Sequence, residues 1–210
     1  MSLIVELEFP LLGTAPIPAD HGYLLYAAVS RLLPEVHRPN AIALCPIPGR
    51  QLGNRQLVLT RVSRLRLRAP QEQVPLLVHL AGKELQLGQA RLTVGTPRVR
   101  ALQPAEALRS RLVVIKVKEA PRASDLTAEL FAQAARRQLD QLGISPQARL
   151  HVGKRRTLRL KHREVVGYEL AVCGLTDEES LALQQHGLGG RRHMGCGVFV
   201  PLRNGAARDE

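Results

Sequence analysis

A chain of 210 residues with 45% hydrophobic side chains has room for one large core or two smaller ones, which excludes a disordered tail. Lys plus Arg number 30 against 18 for Asp plus Glu, a formal charge of +12 that favours a polyanionic partner. Nucleic acid is expected before a membrane surface: no basic amphipathic helix stands out, no apolar run approaches the ~20 residues of a membrane span, and no signal peptide opens the chain.

In chain order, residues 3–9 place Glu6 and Glu8 on one face and Val5, Leu7 and Phe9 on the other, the period-2 pattern of a half-buried strand. Asp20 is the expected N-cap of a helix in which Leu24, Leu25, Ala28, Val29, Leu32 and Leu33 recur at helical spacing until Pro34. A short apolar segment, 41–46, leads to the turn at Pro46-Ile47-Pro48-Gly49. Residues 57–67 predict a strand whose even side presents Arg64, Arg66 and Arg68, a minor basic face. A short helix over 71–80 and a strand pair over 85–99, broken at Gly88 and Gly95, follow. Residues 103–110 read as a polar linker.

The second half repeats this order. A strand over 112–117 precedes a helix capped by Asp125, with Leu126, Leu130, Phe131, Ala134, Leu139 and Leu142 apolar, ending at Gly143. Residues 149–172 predict two strands. Thr176-Asp177-Glu178-Glu179 is a capping box opening a helix to about Gln185, and a strand over 198–202 closes the pattern. Two βαββαβ-like units in tandem make an α+β protein of two ferredoxin-like (RRM-like) domains, 1–104 and 108–203, with 204–210 as a tail.

Three features carry chemistry. The segment 187–197 holds Gly187, Gly189, Gly190, Gly195 and Gly197 around Arg191, Arg192 and His193; such a loop is expected to be ordered, with backbone N–H groups and arginines facing phosphate. From Arg149 to Arg163 seven basic residues occur without an acid, among them Lys154, Arg155, Arg156, Arg159, Lys161 and Arg163, giving a basic surface for a phosphate backbone. With no Trp, three Phe and three Tyr, stacking on successive bases is excluded as the main mode, which suits a structured or hairpin RNA.

The seven histidines show no metal-ligand spacing, so neither a metal nor another cofactor is expected. Cys45, Cys173 and Cys196 lack the spacing of a zinc site or disulfide framework, consistent with a reducing cytoplasm. His79 reads as structural, and His151 and His162 as part of the basic region. His21 and His37 bracket the first helix, about 18 Å long for roughly twelve residues. One catalyst plus one binder is therefore expected, with Tyr23 and Tyr26 able to offer a phenol.

Tandem ferredoxin-like halves, a first helix followed by Val36-His37, a basic hairpin near residue 155 and the C-terminal glycine-rich loop resemble the CRISPR repeat-processing endoribonucleases, the Cas-six family of the RAMP superfamily. The runs Asp20-His21-Gly22-Tyr23 and Gly187–Pro201 resemble its short subtype from myxobacterial-type class 1 systems. The resemblance implies metal-independent cleavage of the precursor transcript within each repeat to give mature crRNA: the ribose 2′-OH attacks the adjacent phosphate, leaving a 2′,3′-cyclic phosphate and a 5′-OH. Such chemistry needs a base, an acid and cations for the developing charge.

The resemblance further implies that His37 is the catalytic histidine, with His21 in a second position used by some members and Tyr26 as the added tyrosine. No lysine follows His37 before Lys83, which leaves Arg38 or Arg191 as the electrostatic helper. Arg155, Arg156 and Arg159 are expected to hold the repeat stem-loop, and other class 1 effector-complex subunits are possible partners. A non-catalytic RNA-binding subunit on the same fold is the alternative. A tRNA- or rRNA-modifying enzyme is a weaker third, for want of a cofactor loop or a cysteine nucleophile setting.

Overall fold

The opening alternation forms β1 (Ile4–Leu12), which buries Val5, Leu7 and Phe9 and leaves Glu6 and Glu8 half-buried on the other side. The computed structural model describes residues 2–37, 42–161 and 163–202. The chain divides into two units, one of Met1–Ala101 with Leu158–Lys161 and Arg192–Gly195, the other of Leu102–Thr157, His162–Arg191 and Cys196–Glu210. The expected division at 104–108 carried no such short segments from the second half into the first unit.

In the first unit β1 is followed by β2 (Ile17–Pro18), α1 (Gly22–Leu32), β3 (Ala43–Cys45), β4 (Arg50–Gly53), β5 (Gln56–Val58) and β6 (Arg64–Pro70). A short helix α2 (Val74–Leu77), flanked by 3-10 turns, leads to β7 (Glu84–Leu87), β8 (Ala90–Val94) and β9 (Arg98–Ala101). The main sheet runs β3-β6-β1-β8-β7, with β9 also pairing β1. Its first four strands have the order of a ferredoxin-like fold, the first strand lying between the third and the fourth. One face buries Leu7, Phe9, Leu65 and Leu67, which share a core with Leu25 and Val29 of α1. Each such side chain contributes roughly 1.5–3 kcal/mol by leaving water.

The predicted strand over 57–67 is two strands, because residues 60–63 form a turn in which Ser63 Oγ accepts from the Thr60 N–H at 2.8 Å. The register of β6 on β1 sets Glu6 opposite Arg68 and Glu8 opposite Arg66. Arg68, only 2% exposed, donates from Nε to Glu6 Oε2 at 2.8 Å, and Arg66 lies 3.7 Å from the same carboxylate. The expected face of Arg64, Arg66 and Arg68 is thus no open basic surface: two of its three charges are spent inside the unit.

The second unit contains β10 (Ala107–Val113), α3 (Ala128–Gln141), β11 (Arg149–Leu160), β12 (Arg163–Cys173), α4 (Asp177–His186) and β13 (Val200–Pro201). Its sheet order, β11-β12-β10-β13, is again ferredoxin-like. Phe131, Ala135 and Leu139 of α3 pack with Leu170, Val172 and Phe199. The expected linker over 103–110 already pairs: Leu108 and Arg109 of β10 lie opposite Val172 and Ala171 of β12. The strand expected over 198–202 shrinks to two residues, although Val198 and Phe199 are buried.

Helix starts separate local from tertiary signals. At α4, Thr176 Oγ1 accepts from the Glu179 N–H and the Glu179 carboxylate accepts from the Thr176 N–H, the reciprocal box its sequence predicts. At α3 the cap is Thr127, which accepts from the Leu130 N–H, and Asp125 belongs to the turn before it. Asp20 does not cap α1, since His21 holds that position, with no capping bond from its side chain to the helix. The Asp20 carboxylate instead accepts the backbone N–H of Arg159 at 2.8 Å. No helix among the described residues is long and apolar enough to cross a membrane.

Candidate active site

The site is built on α1 within the first unit. Leu25, Ala28 and Val29 face the core, and Tyr26, one residue round the helix, is buried to 8% exposure. A buried phenol needs a partner for its hydroxyl. Tyr26 finds it where the chain turns back after Leu33: a 3-10 turn, Pro34–His37, brings His37 Nδ1 to 3.1 Å from the Tyr26 Oη. The two rings lie 5.7 Å apart and nearly parallel, at 15°. His37 is itself exposed. A solvent-facing imidazole braced through one nitrogen by a buried phenol has its other nitrogen available for proton transfer.

His21 is placed differently. It is 2% exposed, its Nδ1 lies 2.9 Å from the Pro18 carbonyl oxygen, and its Nε2 is 2.9 Å from the Ile47 backbone nitrogen. The backbone N–H of Ile47 can only donate, so Nε2 accepts and Nδ1–H donates to Pro18. Both ring nitrogens are engaged, and the expectation of a second catalytic histidine here is corrected. His21 ties the start of α1 to the turns on either side.

A third imidazole stands at Tyr26. The 3-10 turn Arg192–Met194 lies against α1, where Gly22 makes the approach possible: a Cβ there would run into the Met194 carbonyl oxygen. Gly195, at φ +82°, then turns the chain along Pro46 and the Leu44 carbonyl. His193, half-buried, has its ring 4.5 Å from that of Tyr26, tilted by 55°. Its neighbour Arg192 is drawn inward: burial, and then the Arg68 charge, lower its pKa. Arg192, expected to face phosphate, is thus half-buried.

Beside α1 lies an open cavity of about 390 Å³, lined by Asp20, Tyr23, Leu24, Arg55, Arg159 and Lys161, with Pro18 at its edge. Arg55 and Lys161 hold left-handed backbone positions, φ +56° and +47°, at hairpin turns. Three cations thus surround a space the size of a nucleotide unit, with one phenol in its wall.

The match to known proteins follows this architecture. A family described as Cas6 Crispr matches residues 5–204. The CRISPR-associated endonuclease Cas6 of Myxococcus xanthus (strain DK1622) is 41% identical over 201 residues, covering 96% of this chain and 83% of that protein. This chain belongs to the Cas6 family. The structure from a Cas6-related gene of Pyrococcus furiosus superposes with a TM-score of 0.62 at 16% identity, over 97% of this chain and 100% of that one. A CRISPR endoribonuclease Cse3 bound to 19 nt RNA gives 0.52 at 16% identity, over 95% and 98%. Both share the fold of tandem ferredoxin-like domains.

In this Cas6 chain the glycine-rich loop departs from its expected use. The N–H groups of Gly187, Leu188, Gly190, Gly195, Cys196 and Gly197 donate to backbone carbonyls, and that of Gly189 to the Gln138 side chain. They are not lined up for phosphate. The glycines serve close packing instead: a Cβ at Gly189 would meet the Val114 carbonyl, and one at Gly197 the Leu188 carbonyl, both at positive φ.

The other predicted basic residues of this Cas6 chain divide between the units. Arg159 and Lys161 are exposed at the cavity of the first. In the second, Lys154, Arg155, Arg163 and Arg191 are exposed, while Arg156 donates from Nε to Glu169 at 2.7 Å, spending much of its charge. Arg155 also donates to the Ala123 carbonyl at 2.8 Å. Arg38 and His162 lie outside the described residues. Sequence reasoning missed Arg55 and the place of His193 beside Tyr26. Gly22 at the first position of a helix was the available signal, since glycine there is costly unless another backbone must come close.

Proposed function

We propose that this chain cleaves CRISPR repeat RNA within the precursor transcript, without a metal ion, to release mature crRNA. The nucleophile is the ribose 2′-OH already present in the substrate, so no activated water is required. Its oxygen bonds to the adjacent phosphorus as the P–O5′ bond breaks, leaving a 2′,3′-cyclic phosphate and a 5′-OH. His37 acts as general acid or base. Tyr26 fixes its ring: with Nδ1–H donating to the phenol oxygen, Nε2 can take a proton from the substrate when the ring is neutral, or give one up when it is the imidazolium. Arg159 and Lys161 at the cavity, with Lys154, Arg155, Arg156, Arg163 and Arg191, hold phosphates of the repeat stem-loop.

The observation that carries this reading is the 3.1 Å contact between Tyr26 Oη and His37 Nδ1 on an exposed imidazole. The relative from Myxococcus xanthus, an endonuclease by name, supports the reaction class. The test is incubation of the purified protein with its repeat RNA in excess EDTA, followed by end-group analysis, beside a substrate carrying a 2′-deoxy nucleotide at the cut. A single cut ending in a cyclic phosphate, lost on the deoxy substrate, is expected. His37→Ala should lower the single-turnover rate by about 10²–10⁴. Tight binding without cleavage would instead identify a non-catalytic RNA-binding subunit.

A further inference from the structure

Cleavage by 2′-OH attack moves two protons at two places. The entering 2′-oxygen and the leaving 5′-oxygen lie on opposite sides of the phosphorus in an in-line displacement, so one imidazole does not serve both at once. His37 fills one role. His21, with both ring nitrogens engaged in the core, does not fill the other. The Tyr26 ring, however, has two imidazoles beside it: His37 at 5.7 Å and His193 at 4.5 Å between centroids. The two histidines are therefore no farther apart than the sum of those separations. The turn that carries His193 is held against α1 at Gly22, so its place is set by backbone packing.

We propose that His193 is the second proton-transfer residue of the reaction, paired with His37 beside Tyr26. One imidazole, neutral, takes the 2′-hydroxyl proton as the 2′-O–P bond forms. The other, protonated, gives its proton to the 5′-oxygen as the P–O5′ bond breaks, so the product leaves as an alcohol. The pair finishes with its protonation states exchanged, and solvent restores them. This inference rests on the nuclease reading above and adds the partner that reading lacks.

The experiment compares the wild type, His37→Ala, His193→Ala and His193→Phe in single-turnover cleavage, with RNA affinity measured beside each rate. Two repeat RNAs are used: the natural phosphodiester and one with sulfur in place of the 5′-bridging oxygen. A thiolate leaves without a proton, so the sulfur substrate relieves a variant that lacks the general acid and not one that lacks the base. On the natural RNA, both His193 variants should lose about 10²–10⁴ in rate at saturating enzyme, with affinity little changed. The sulfur substrate should rescue one of His37→Ala and His193→Ala and leave the other slow.

His193→Phe keeps an aromatic ring against Tyr26 and removes the titratable nitrogens. If it cleaves within a few-fold of the wild type, His193 only packs and the inference is overturned. Weakened binding with an intact saturated rate overturns it in favour of an RNA contact, and rescue of both variants or of neither overturns it as well. Failure of the wild type to cleave the natural RNA would instead remove the nuclease reading itself.

Discussion

The backbone N–H of Ile47 donates to Nε2 of His21 across 2.9 Å, joining the start of the first helix to a turn 26 residues downstream. The bond fixes the tautomer of His21 and, with the Pro18 carbonyl at the other nitrogen, engages both ring nitrogens. It also makes a buried backbone N–H depend on this one imidazole among the described residues.

His21→Ala should therefore act on stability. Removing the acceptor strands the Ile47 N–H and leaves the Pro18 carbonyl without the imidazole donor, at a cost of about 1–3 kcal/mol. Thermal melting should show a transition several degrees lower. Well below that transition, the saturated cleavage rate should stay within a few-fold of the wild type. A loss as large as that expected for His37→Ala, in a protein still folded, would restore His21 to the reaction.

Tyr26→Phe keeps the ring beside both imidazoles and removes the hydroxyl that holds His37. One hydrogen bond to a side chain of this kind is worth about 0.5–1.5 kcal/mol, so the rate should fall by up to about tenfold. The melting temperature should change little, since the phenol oxygen is the only atom lost. Single-turnover kinetics with melting curves on the same preparation would check both parts.

Arg159→Ala and Lys161→Ala should weaken RNA binding and lower the slope of log affinity against log salt by about one each. Arg156→Ala should change that slope less, because Glu169 already opposes its charge at 2.7 Å. Binding titrations over a range of salt concentrations read these slopes directly.

The capping box of α4 makes a prediction about pH. The Thr176 N–H, and after it the Ser145 N–H, hold the Glu179 carboxyl below its ordinary range. A folded-state pKa below the unfolded one stabilises the fold above the unfolded carboxyl's pKa, and this contribution is lost as pH falls through the folded value. The melting-temperature gap between wild type and Glu179→Gln should therefore be widest near neutrality and close in acid. Thr176→Ala, which removes the other half of the box, should cost about 1 kcal/mol.

What could be read from sequence was what neighbours in the chain decide. The alternation of Val5, Leu7 and Phe9, the helical stripe from Leu25 to Val29 and the Thr176 box depend on residues a few positions apart, and each forms as expected. Roles set by distant partners were not legible. Asp20 reads as a helix cap until Arg159 offers it a backbone N–H, and Arg68 reads as a surface cation until the β1–β6 register sets it against Glu6. The glycine loop shows the same division: its density of glycine was visible, while two of the carbonyls that take its N–H groups, those of Leu112 and Val114, lie in a segment some 75 to 85 residues earlier. For His193, the signal was Gly22 at the start of the helix, which marks a close backbone approach without naming the segment that makes it.

The seat of Met194 on Gly22 also carries a consequence for synthesis. The ribosome delivers Tyr26 and His37 early, and the turn that covers the same helix some 160 residues later. Until Arg192–Gly195 has emerged, the first helix lacks the segment that packs on it, however well the strands around it have paired. A nascent chain of this protein therefore cannot present the finished wall of its site to a transcript, and a stop codon placed before residue 192 should yield a product with a folded first sheet and an unfinished helix surface.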